Sequence, residues 1–120
     1  MSSRTSHSRQ YTKQLLDLYG HTPGTLGQVR REDRCLALLL YHRGIPLRTI
    51  EEAFLLATAR RSFRDPQAAP LSPIRSLHYF VPVIDELLTT PLPAGYVDYL
   101  KRKLRTFSEL DHNKTTLTSG

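Results

Sequence analysis

Apolar residues recur along this chain in blocks spaced for helices, and glycine-, proline- and serine-rich stretches separate the blocks. At about 100° per residue, Ile74, Leu77, Phe80, Val81, Ile84, Leu87 and Leu88 fall on one side of a helix, with Arg75 and Tyr79 one turn apart on another. Upstream, Tyr11, Leu15, Leu18 and Tyr19 define the inward side of a short helix over 11–19, which Gly20 stops. A second helix is predicted over 28–43, with Val29, Leu36, Leu39 and Leu40 on one face and Gly44 at its end. Pro46 suits the entrance of a third, over 47–63, because it lacks an N–H that would go unpaired there. Apolar residues on most sides of this third segment (Ile50, Ala53, Phe54, Leu55, Leu56, Ala57) predict the central helix.

Three prolines mark 65–73 as a loop, and Ser72-Pro73 suits the start of the fourth helix. Pro82 inside that helix removes a backbone hydrogen bond and should kink or split it. After a linker over 89–95, a fifth helix over 96–110 turns Tyr96, Val97, Leu100, Leu104 and Phe107 inward. The pattern predicts an all-α fold. It is a compact bundle of about five helices with a basic C-terminal helix, one domain over 10–110. A flexible segment over 1–9 and a disordered tail over 111–120 flank it.

A length of 120 residues suits one domain with a real core. The formal charge of +6 and a pI near 9.8 favour a polyanionic partner. Cys35 is the single cysteine, so neither an internal disulfide nor a multi-cysteine zinc site can form. The polar N-terminus is unlike a secretory leader, and no apolar run approaches the roughly 20 residues of a membrane span. A cytoplasmic protein without membrane contact is expected.

Three basic groups stand out. Arg30, Arg31 and Arg34 share an arc of the second helix, where guanidinium groups can grip phosphates in a fork. The same arc also reads as a solvated face paired with Glu32, Asp33 or Glu52. Arg60, Arg61 and Arg64 end the third helix, where the helix dipole alone favours cations. Lys101, Arg102, Lys103 and Arg105 form the densest cluster, with Lys101, Arg102 and Arg105 directed away from the core. Arg75 and Tyr79 together suit a phosphate and an unpaired base. Nothing resembles a catalytic set, a phosphate-cradling loop or a metal-ligand spacing, so no enzyme activity, cofactor or metal is expected. A helix-turn-helix over 34–61 would need a second turn, and 54–61 runs on without one.

Gly44-Ile45 ahead of Ile50, Glu51, Glu52 and Ala53, and Tyr79 followed at four-residue steps by Val83 and Leu87, resemble the C-terminal domain of DnaD-like replication proteins. The resemblance spans about 11–88. Tyr79 matches the family's Tyr, Val83 stands for Ile, and Leu87 stands for Trp. It implies single-strand DNA binding in a protein that remodels DNA and helps load a replicative helicase. The basic fifth helix lies outside the pattern.

The expectation is a non-enzymatic DNA-binding accessory protein of bacterial or mobile-element replication or maintenance, with DNA favoured over RNA and a possible protein partner in such a complex. The alternative is a helical protein–protein adaptor that uses an exposed apolar helix face and binds no nucleic acid.

Overall fold

The computed structural model describes residues 2–64, 67–69 and 71–106. It is all-α, as the periodicity predicts. Helix α1 spans Ser2–His21, α2 Arg31–His42 and α3 Leu47–Ser62. A 3₁₀ turn, η1 (Leu77–Phe80), leads directly into α4 (Val81–Thr89). A fifth helix, α5, covers 96–106. Its predicted continuation to residue 110, with the Phe107 contact, and the tail over 111–120 lie outside the described residues. The bridge between Thr25 and Ile74 is parallel and isolated.

α3 is the hub. It buries Ile50, Ala53, Phe54, Leu56, Ala57, Thr58 and Ala59, and both α1 and α4 pack on it. The Thr58 hydroxyl donates to the Phe54 carbonyl at 2.7 Å, so its burial leaves no unsatisfied oxygen. The helix runs unbroken through the position where a helix-turn-helix would turn again. α1 adds Leu15 and Tyr19 to the core, and the Tyr11 hydroxyl donates to the Ile45 carbonyl at 2.6 Å. α1 begins at Ser2 rather than at Tyr11. Once 11–19 is fixed by packing, each upstream residue adds a backbone hydrogen bond to an existing nucleus.

α2 differs from its predicted form in its start and in its buried face. It starts at Arg31, not at residue 28, because Gly24 and Gly27 hold positive φ and Arg30 is extended at the N-cap. Its buried face is Asp33, Leu36, Ala37 and Leu40, whereas Leu39 is 55% exposed. Its end follows expectation. Gly44, at φ +73°, donates to the Tyr41 carbonyl, and Ile45 N donates to that of Leu40. This paired closure needs a left-handed residue, and buried Ile45 supplies its hydrophobic contact.

The fourth segment is the main departure. Ser72-Pro73 starts no helix. Ile74 is extended instead, donating to the Gly24 carbonyl at 2.7 Å and accepting from Leu26 N at 3.2 Å. Ser76 is the cap, its hydroxyl accepting from His78 N at 3.1 Å. Pro82 then lies in the first turn of α4, where its missing N–H costs nothing, and the helix is split there into η1 and α4.

Candidate nucleic-acid interface

The basic residues predicted as a site fall into two groups. The first surrounds the start of α2. Arg30, Arg31 and Arg34 are all exposed. Beneath them Asp33 is 1% exposed, and it faces inward rather than pairing with them. Its Oδ2 accepts from Arg30 N at 2.9 Å, its Oδ1 from Leu77 N at 2.9 Å, and the Ser76 hydroxyl lies 3.5 Å from Oδ1. One carboxylate thus ties the segment bearing Arg75 to the first turn of α2. Four arginines share this end of the molecule, and among the described residues none of them is in an ion pair.

The expected Arg75–Tyr79 helical pair is not formed. Arg75 precedes the Ser76 cap, outside η1, so the two are not stacked one turn apart on a helix. Tyr79, 44% exposed, is partnered by Arg61. The Arg61 guanidinium lies 5.5 Å from the Tyr79 ring centre, donates to its hydroxyl at 3.3 Å and to the Ser72 carbonyl at 2.9 Å. It also passes over Gly24, where an added Cβ would sit 3.1 Å from its Nε. Arg60 forms a two-pronged bridge to Glu86, at 2.6 and 2.9 Å, and Arg64 donates to the Ala69 carbonyl. These hydrogen bonds hold the Glu86 carboxyl below its usual range and the Arg60 guanidinium more firmly protonated. The arginines ending α3 are therefore engaged by contacts within the fold.

The second group is on α5. Leu100 is 2% exposed and anchors the helix to the core. Lys101 lies 4.0 Å from Glu51, while Arg102 and Arg105 are exposed, with no ion pair among the described residues. Lys103 is different. Its ammonium donates to the Tyr99 hydroxyl at 3.2 Å and sits 5.0 Å from the Phe63 ring centre and 5.6 Å from that of Tyr99. Tyr96 and Tyr99 stack with centres 5.8 Å apart and planes 27° apart. Tyr96 was expected inward, but it stays 38% exposed because Leu100 and Leu104 already fill the contact with the core. The spacing of Tyr96, Tyr99 and Lys103 over two turns is legible in the sequence, but the contribution of Phe63 is not.

Among the described residues no three His, Cys, Asp or Glu side chains converge as a metal would require, and no helix is long and apolar enough to cross a membrane. Comparison with family models, with characterised proteins and with solved structures returns no match.

Proposed function

We propose that the protein is a non-enzymatic DNA-binding accessory factor, with DNA favoured over RNA, that acts in the cytoplasm in replication or maintenance of a bacterial or mobile-element genome. One observation supports it most. Arg30, Arg31 and Arg34 lie at the start of α2, with Arg75 on the segment clasped to it. The buried acid there, Asp33, is occupied by backbone N–H groups. Exposed Glu32 is in no ion pair among the described residues, so three or more cations face one exposed acid. The positive charge of that end is left for an outside anion, and phosphate suits the guanidinium fork. Arg102 and Arg105 extend the same chemistry to α5. The replication role rests on the DnaD-like resemblance. Within its motif Leu87 is buried and Tyr79 is exposed, so Tyr79 is the position open to a base.

Binding to labelled single-stranded DNA, duplex DNA and RNA, titrated with salt, tests this reading. Affinity should fall linearly in log–log form, by roughly 0.7–0.9 units per phosphate contact. Absence of binding at low salt, or affinity indifferent to salt, would overturn it. The adaptor reading is favoured by a separate observation: Leu38 and Leu39 stand 42% and 55% exposed on the outer face of α2, beside exposed Cys35. A protein partner held there would bind with weak salt dependence.

A further inference from the structure

We infer that Tyr99 and Tyr96 of α5, with Phe63 beyond the end of α3 and Lys103 between them, form a stacking platform for unpaired bases of a single-stranded nucleic acid. The inference rests on the nucleic-acid reading above and names where bases, as distinct from phosphates, would be held.

The three rings are 38%, 44% and 37% exposed for Tyr96, Tyr99 and Phe63, although the same helix buries Leu100 at 2%. Burial was open to this helix, and aliphatic side chains took it. The rings are also ordered among themselves. Tyr96 stacks on Tyr99, and the Lys103 ammonium reaches both Tyr99 and Phe63. A cation held beside the Phe63 ring and at the hydroxyl edge of Tyr99 makes this aromatic surface positive without covering the Tyr99 face, which suits a base flanked by phosphates. Arg102 and Arg105, exposed on the same helix, supply further phosphate contacts. Every base has a π-face, so such a surface accepts single strands with little sequence preference, whereas the paired bases of a duplex offer no free face.

The test uses the full chain and two strands of about 12 nucleotides, a length within the usual site size. One is oligothymidine and the other an abasic deoxyribose-phosphate chain of equal length and charge. The platform predicts that oligothymidine binds about tenfold or more tightly than the abasic strand. The chain has no Trp, so quenching of tyrosine fluorescence by oligothymidine, and its reduction in Tyr99→Leu, reads the stack. Tyr99→Leu should bring oligothymidine affinity down to the abasic level without changing abasic affinity, and Tyr99→Phe should keep most of the preference. A uridine strand separates RNA from DNA, and preference for either base-bearing strand over the abasic one supports the platform. Equal binding of base-bearing and abasic strands by the parent chain would overturn it while leaving the phosphate-binding reading intact. So would a folded Tyr99→Leu chain that keeps the full preference. If Tyr99→Leu fails to fold, Tyr96→Leu takes its place: it should lower the preference for oligothymidine, and a folded Tyr96→Leu chain that keeps the full preference overturns the platform. If no strand binds at low salt, the nucleic-acid reading fails, and the platform with it.

Discussion

Asp33 shows how one residue can set both stability and surface charge. A carboxylate amid arginines would ordinarily pair with one of them. Here it is buried and accepts two backbone N–H groups, one from Arg30 and one from Leu77, 44 positions away in the chain. Hydrogen bonds to a charged acceptor are stronger than neutral ones, and a buried donor left alone costs its full desolvation. Asp33→Ala should therefore lower stability by about 2–4 kcal/mol, read as a lower urea midpoint at unchanged slope. Asp33→Asn should lose less, because one carbonyl acceptor remains. A midpoint unmoved in Asp33→Ala would show that the clasp contributes nothing. The sequence contained a hint: Asp33, Leu36, Ala37 and Leu40 share a helical face. The neighbouring arginines pointed the other way, since a charged residue between charged residues reads as solvated.

At the scale of elements, α5 and α4 are joined to α3 in different ways. Leu100 anchors α5, whereas Leu104 is half-buried and lines an apolar groove with Leu18, Phe54 and Leu55. Leu100→Ala should cost roughly 2–5 kcal/mol, and Leu104→Ala about half as much or less. Equal losses in chemical denaturation would show that α5 is held along its whole length. α4 is tied to α3 through Arg60 and Glu86. Glu86 titrates in the folded chain below the pKa it has when unfolded, because Arg60 donates to its ionised form. The pair's stabilisation is thus full above the unfolded carboxylate pKa and is lost as pH falls through the folded value. The melting temperature of Glu86→Gln should lie below the parent's at pH 7, and the gap should close in acid. The bridge is exposed, so the gap will be small. A gap constant with pH would mean that the substitution acts through packing alone. The end of α2 at Gly44 was legible in the sequence, whereas α1 runs through Gly20, expected to stop it, to His21. The start of the fourth segment was not legible either, because pairing of Ile74 with the distant 24–26 loop extends the chain where its own pattern favours helix.

For the whole molecule, helix content and the central place of α3 follow from local periodicity, whereas the grouping of the basic residues follows from tertiary clasps. The net charge of +6 indicated a polyanionic partner but not which cations would be free to meet it. The fold sorts them. Arg60 and Arg43 are engaged by Glu86 and Asp85, Arg48 by Glu52, and Arg61 by Tyr79 and the Ser72 carbonyl. The groups on α2 and α5 ride on different elements. α2 packs on α1 and η1, while α5 reaches α3 through Lys101 with Glu51 and Lys103 with Phe63. The two groups share no partner residue, so their effects on binding should add. Arg31→Gln with Arg34→Gln, and separately Arg102→Gln with Arg105→Gln, should each leave the fold intact, since all four side chains are exposed. Each lost phosphate contact should lower the salt slope by roughly one unit. The four-fold variant should show the sum of the two losses in log affinity for a strand long enough to touch both. If the α5 pair lowers the slope and the α2 pair leaves it unchanged, the arginines of α2 make no phosphate contact and are merely solvated. Nucleic acid would then be held by α5 alone.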